Sequence, residues 1–133
     1  YVARVAMGAS DTQTLQAFRE AEAFDGPALI IAYSHCIAHG IEMRAGLEQQ
    51  RLAVQSGAWP LYRFNPALLA AGQPAMRLDS RAPSVPLAQY EAHQARFEML
   101  ARSDAARAAA LLAQAEQDAA QSRQLLEHAL TTA

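Results

Sequence analysis

Apolar and polar positions along this chain switch between two periods, and the switches mark out its elements. Residues 1–7 are apolar and partly β-branched apart from Arg4, and Gly8 closes them, which predicts a strand. Ser10-Asp11-Thr12-Gln13 then opens a helix over residues 11–24, with Ser10 as N-cap, Gln13 in capping-box position and Asp11 near the positive helix terminus. Leu15, Phe18, Ala21, Ala23 and Phe24 form its apolar stripe, while Arg19, Glu20 and Glu22 face water. Asp25-Gly26-Pro27 stops the helix, and residues 28–33 form a short, unbroken apolar run. A run of that length between turn signals predicts a strand buried on both faces, as in a parallel sheet. Strand, helix and strand in this order predict a βαβ unit, with residues 2–7 and 28–33 as parallel neighbours and the helix over one face.

A helical pattern resumes with Ile41, Leu47, Leu52 and Val54, surrounded by Glu42, Arg44, Glu48, Gln50 and Arg51; Gly46 starts its firm part and Ser56-Gly57 ends it. Residues 59–64 predict a third strand, with Pro60 arguing for an edge position or for an early, unpaired residue. Asn65-Pro66 starts a short helical turn limited by Gly72 and Pro74, and residues 76–78 read as a further brief strand. After a linker-like stretch over residues 79–86, a helix is predicted over 87–102, with Tyr90, Phe97 and Leu100 facing inward. The alanine-rich stretch 104–129 predicts another, whose apolar positions Leu111, Leu112, Leu125, Leu126 and Leu130 make a thin stripe. Such a helix has high propensity and little to bury, so it is expected to make few contacts within the chain and to be its least protected element. It is expected to pack on the sheet or on another subunit. The predicted fold class is α/β: mostly parallel strands flanked by helices, followed by two C-terminal helices.

Composition narrows the classes of function. A chain of 133 residues suits one domain with a real core. A net charge of −2 leaves no basic footprint for nucleic acid or an anionic membrane. All 11 basic residues are arginine, which excludes a lysine-based mechanism within this segment. A single cysteine forms no internal disulfide. No apolar run approaches the ~20 residues of a membrane-spanning helix, and no charged-then-apolar signal pattern is present. The chain begins without Met and already in a strand pattern, as expected of a piece of a longer polypeptide.

The sharpest candidate for chemistry is Cys36, flanked by His35 and His39 just past the apolar run. Ligands in open α/β sheets collect at the carboxyl ends of strands. Cys36 reads as a buried structural thiol, as a nucleophile with His35 or His39 as base, as part of a local zinc site with both histidines, or as a metal ligand whose partners lie elsewhere in a longer chain. The spacing alone does not choose among them. His93 and His128 sit on predicted helices, solvated or partly buried. Trp59, Tyr62 and Phe64 read as core, and Glu42, Glu48 and Arg51 as a solvated helix face. There is no glycine-rich phosphate loop, no Gly-x-Ser-x-Gly elbow and no carboxylate pair at a useful spacing.

Several blocks in this order resemble the pyruvate:ferredoxin (flavodoxin) oxidoreductase family. They are Tyr1-Val2-Ala3 through Val5-Ala6-Met7-Gly8, Glu20-Ala21-Glu22 with Gly26-Pro27, and Ile30-Ile31-Ala32-Tyr33 with Cys36-Ile37 and Gly40. Ala53-Val54 with Ser56-Gly57, Trp59-Pro60-Leu61-Tyr62-Arg63-Phe64, Leu78-Asp79-Ser80-Arg81-Ala82-Pro83, Arg96-Phe97, Leu100 and Arg102-Ser103 continue it. The resemblance implies the C-terminal part of a doubly wound thiamine-diphosphate-binding domain. Residues 1–80 would be its C-terminal half, and residues 81–133 the linker and C-terminal helices of the same domain. It implies a long cytoplasmic, homodimeric enzyme that converts pyruvate and coenzyme A to acetyl-CoA and carbon dioxide, passing electrons through three 4Fe-4S clusters to ferredoxin or flavodoxin. Cys36 matches the family's fourth ligand to the cluster nearest the thiamine. The other three ligands, and the motif for magnesium and the diphosphate, lie upstream in the family. The resemblance therefore implies no catalytic residue and no thiamine-binding residue here, and an inactive segment when alone. The competing expectation is a free-standing, non-catalytic α/β scaffold module that docks through its long terminal helix.

Overall fold

The computed structural model describes residues 1–132. Four strands form one sheet in the order β2-β1-β3-β4, with β1 at Val2–Val5, β2 at Leu29–Ala32, β3 at Tyr62–Phe64 and β4 at Met76–Leu78. β1 and β2 run parallel, Val2 opposite Leu29 and Val5 opposite Ala32. The β1–β3 and β3–β4 pairs are antiparallel, with Arg4 opposite Tyr62 and Tyr62 opposite Leu78. The sheet is therefore mixed, which corrects the expectation of mostly parallel strands. A parallel pair needs a crossover of a dozen or more residues. β3 and β4 are joined instead by a short excursion through helix α3 (Ala67–Ala70), closed where the Asn65 N–H donates to the Ala75 carbonyl at 2.8 Å. β3 is an internal strand, not an edge; Pro60 simply precedes it.

Helix α1 (Asp11–Ala23) covers the sheet beside β1 and β2. The Ser10 hydroxyl caps it by accepting from the Gln13 N–H at 3.1 Å. The face it buries differs from the expected stripe. Gln13, Thr14 and Ala17 are buried, whereas Leu15 is 60 % exposed and Phe18 is exposed as well. Ala17 has no accessible surface and packs on Tyr1, Ala3 and Val5, with Ala21, Phe24 and Ile30 around them. Gln13 faces inward because its amide donates to the Arg4 carbonyl at 3.3 Å and to the Asp79 carboxylate at 3.0 Å. The helix stops where Phe24 turns extended, one residue earlier than Gly26 would have required.

β2 is not buried on both faces. Among the described residues it is an edge strand with β1 as its one neighbour. Ile30 points into the core under α1, so strand alternation turns Leu29 and Ile31 to the other side. There Leu29 is 55 % exposed and Ile31 is exposed too.

The second core cluster gathers Leu52 and Ala53 of helix α2 (Gly46–Gln55) with Leu87 and Tyr90 of helix α4 (Leu87–Glu91). Tyr33, Trp59 and Val85 pack on it, as do Leu112 and Ala115 of helix α6 (Ala105–Thr132). The helix expected over 87–102 is two, α4 and α5 (Ala95–Ser103). Gln94 is extended between them, and the Ala95 N–H leaves helical bonding for the Gly40 carbonyl at 3.3 Å. The Asp104 carboxylate then caps α6, accepting from the Arg107 N–H at 2.9 Å.

The expectation of few contacts for α6 is overturned. It packs on α4 and α5 and runs on against β4. Ala108, Leu112, Ala115, Ala119, Arg123, Leu126 and Leu130 are half-buried at spacings of three and four, a continuous seam on one face. Leu111 and Leu125, counted in the apolar stripe, are exposed. Alanines on the seam let the helix approach closely, so a thin stripe suffices for docking along its length.

Candidate functional site

Because β1 and β2 are parallel neighbours, the segments that leave their carboxyl ends emerge side by side. β1 delivers Met7 and Gly8; β2 delivers Tyr33, Ser34, His35 and Cys36. The ladder extends one step past β2, where the Tyr33 N–H donates to the Val5 carbonyl at 2.9 Å. Tyr33 then anchors the chain through its side chain. Its ring meets Trp59 edge-on at 5.3 Å between centroids, and its hydroxyl lies 2.9 Å from that of Tyr90. Burial, and then the Tyr90 contact, push the Tyr33 hydroxyl's pKa up from its ordinary value. The Trp59 indole N–H donates to the Val5 carbonyl at 3.1 Å, and the Arg4 guanidinium stacks on its ring at 3.7 Å. Burial lowers the pKa of Arg4.

Cys36 is a free, half-buried thiol on extended backbone, φ −132° and ψ 132°. A tight 3-10 turn follows at Ile37–His39, ending at Gly40 in the left-handed region with φ 71°. That turn is tied back by the His39 N–H to the Cys36 carbonyl at 3.0 Å, and its far end is held by the Ala95–Gly40 hydrogen bond. Around the loop, Met7, Ile37, Met43 and Leu47 are large apolar side chains left exposed.

Gln50 of α2 joins the two strand ends, although sequence reading put it on the polar side of its helix. It is 6 % exposed. Its side-chain oxygen accepts from the Gly8 N–H at 2.7 Å, and its nitrogen donates to the Tyr33 carbonyl at 3.4 Å. The same nitrogen lies 3.2 Å from His35 Nδ1. The His35 ring fills the space over Gly46, where an added Cβ would fall 2.2 Å from Nε2.

The structure brings Cys36 and His35 to one loop but does not assemble a metal centre from this chain. Among the described residues no three His, Cys, Asp or Glu side chains converge to hold an ion, which removes the local Cys36–His35–His39 zinc reading. His93 and His128 are exposed, His93 two residues before the Ala95 that bonds Gly40 at the loop's far end and His128 on α6, and Glu48 and Arg51 pair on the α2 surface as expected of a solvated face. For an iron–sulfur cluster, these residues offer one fitting donor, the half-buried Cys36 thiol at a strand's carboxyl end, and any such cluster would need its other ligands from elsewhere.

Sequence reasoning missed the buried polar side chains: Gln13, Gln49, Gln50, Arg63 and Gln94. Arg63 on β3 is the most consequential. Its guanidinium grips Asp79 with two bonds of 2.8 Å and also contacts Glu20, which accepts from the Tyr1 hydroxyl at 2.9 Å. The Asp79 bonds are the main cause holding the Arg63 pKa above its usual value. The available signal was strand alternation: with Tyr62 and Phe64 on one face, Arg63 must point to the other.

No family model matches the chain. Curated relatives do. The chain is 52% identical over 118 residues to the pyruvate-flavodoxin oxidoreductase of Rhodospirillum rubrum, covering 89% of this chain and 10% of that protein. It is 55% identical over 121 residues to the pyruvate-flavodoxin oxidoreductase of a Nostoc species, covering 90% and 10%. It is 44% identical over 119 residues to the pyruvate:ferredoxin oxidoreductase of Moorella thermoacetica, again covering 90% and 10%. The chain thus spans about one-tenth of the length of the relatives it matches. On this similarity, carried through nearly its whole length, the chain belongs as a segment to the pyruvate:ferredoxin (flavodoxin) oxidoreductase family.

Proposed function

We propose that this chain is the C-terminal part of the thiamine-diphosphate-binding domain of a pyruvate oxidoreductase, and that Cys36 binds iron there. Residues 1–80 are read as the C-terminal half of that domain and residues 81–133 as its linker and terminal helices. The whole enzyme would oxidatively decarboxylate pyruvate with coenzyme A and hand electrons to ferredoxin or flavodoxin, as a cytoplasmic homodimer. Identity of 44–55% with proteins of that name, over about nine-tenths of the chain, carries the reading. The open edge of β2 supports it, since an apolar strand with one unpaired side suits a sheet that continues elsewhere in a longer polypeptide. The scaffold reading is not favoured, because the seam of α6 already packs on α4, α5 and β4.

When bound, an iron–sulfur cluster supplies one-electron transfer. The residues of this chain do the holding. Tyr33 and the Ala95–Gly40 hydrogen bond fix the two ends of the loop, and the extended backbone at Cys36 presents a half-exposed thiol. Thiolate is the soft donor such iron prefers, and a hydroxyl replaces it poorly. Thiamine diphosphate and magnesium would be held by residues outside this segment.

In the full-length enzyme, Cys36→Ser is expected to lose or degrade one cluster while thiamine binding survives. Iron content and the electron paramagnetic resonance spectrum of the reduced enzyme measure this. A variant matching wild type in both would make Cys36 an ordinary packed thiol.

A further inference from the structure

We infer that Gln50 is a positioning residue for Cys36: one buried amide fixes the path of the loop that carries the thiol. The inference rests on the reading of Cys36 as an iron ligand, and it adds a residue outside the motif that led to that reading.

The case is geometric. Three residues from two segments meet at the Gln50 side chain, and neither segment is its own helix. Its oxygen takes the Gly8 N–H at 2.7 Å, at the exit of β1. Its nitrogen serves the Tyr33 carbonyl at 3.4 Å and lies 3.2 Å from His35 Nδ1, at the exit of β2. Tyr33 and His35 are the third and first residues before Cys36, so the amide holds the loop at two points upstream of the thiol. The His35 ring is confined from the other side by Gly46, four residues before Gln50 on the same helix. One turn of α2 therefore grips His35 between a glycine surface and an amide. Gly46 has ordinary helical dihedrals, φ −57° and ψ −42°, so its value here is room for the ring, not backbone freedom. Groups bonded directly to metal ligands are worth about 10–100-fold in metal affinity; Gln50 acts one step further out, through the backbone that carries Cys36, so the low end of that range is expected.

The experiment uses the full-length holoenzyme. Gln50→Leu removes all three contacts at nearly constant volume. Gly46→Ala improves helix propensity but puts a methyl group where the His35 ring lies, so it moves the ring without removing the amide. Cys36→Ser identifies which cluster signal belongs to this loop. The readouts are the line shape and midpoint potential of that signal, and iron retained against a chelator at fixed time.

Both variants are expected to alter that signal and its midpoint, and to weaken iron retention about tenfold, while the other clusters' signals stay as in wild type. A purely structural role predicts a different result for Gly46→Ala: an enzyme whose stability changes with the methyl–ring clash but whose spectrum and midpoint stay as in wild type. If Gln50→Leu fails to fold, Gln50→Glu decides, since it keeps an acceptor for the Gly8 N–H and loses the N–H that serves Tyr33 and His35. An unchanged signal in the folded variants, with Cys36→Ser having removed it, overturns the role of Gln50 and leaves Cys36 as ligand. A Cys36→Ser enzyme with wild-type iron and spectrum overturns the underlying reading, and this inference with it.

Discussion

The two edges of the sheet are finished in opposite ways. At the β4 side, Arg63 clamps Asp79 just beyond the strand, Glu20 reaches in from α1, and α6 lies along β4. Charge, hydrogen bonding and a packed helix all close that edge from within the chain. At the β2 side, Leu29 and Ile31 face outward and one row of backbone groups has no strand to pair with. No proline, charge or bulge protects β2 itself, the devices by which isolated sheets avoid sticking to one another. One edge is covered by a helix and an ion-pair cluster; the other carries exposed apolar side chains. The candidate site lies on the second side, at the end of β2.

The sharpest way to break this contrast is at Arg63. Its side chain is 6 % exposed and its partners are two carboxylates. Arg63→Met leaves Asp79 and Glu20 facing each other's charge without compensation, and the expected loss is about 3–5 kcal/mol of unfolding free energy. Urea denaturation of the 133-residue chain measures it, and a loss below about 1 kcal/mol would show that the closed edge does not depend on the clamp.

A smaller effect tests the helix that covers the same side. Leu126 lies on the half-buried seam of α6, whereas its neighbour Leu125 is exposed. Leu126→Ala is expected to cost about 1 kcal/mol, as for loss of half a buried leucine, and Leu125→Ala less than about 0.5 kcal/mol. Equal effects would mean that the seam does not hold the helix. The smallest effect on stability belongs to the open edge. Ile31→Lys should change unfolding free energy by no more than about 0.5 kcal/mol, yet reduce self-association of the chain in analytical ultracentrifugation. A large loss of stability there would mean that β2 is better covered than its surface indicates.

What could be read in the residues follows the range of the forces involved. The strand–helix–strand unit was legible because capping, punctuation and periodicity are local, and Ser10, Gly46 and Ser56 mark real boundaries. The parallel pairing of β1 and β2 was legible with it, but the directions of β3 and β4 were not. Nothing near residues 59–64 says on which side of β1 they will pair, and the antiparallel β3 follows from packing across the whole chain. The burial of β2 was misread for an instructive reason. Its composition suits a strand flanked on both sides, and here it is flanked on one. The position of Cys36 after a strand was legible, but the amide that organises its loop was not. A glutamine on a helix looks solvated until its three partners, drawn from 15 to 42 residues away, are in place.

The close approach at Gly8 bears on how freely this chain can vary. Its backbone angle is not in the left-handed region, so any residue could adopt the local conformation. Space forbids it: an added Cβ would lie 2.4 Å from the Leu47 carbonyl oxygen and 2.7 Å from the Leu47 Cα. Those are main-chain atoms of the turn that starts α2, and no rotamer change relieves the clash. Even the smallest replacement must lever that helix away from the sheet, taking with it the residues α2 carries. Position 8 therefore belongs among the least substitutable in the chain. For anyone diversifying the protein, it is a fixed point, and tolerance must be sought in the exposed residues around it.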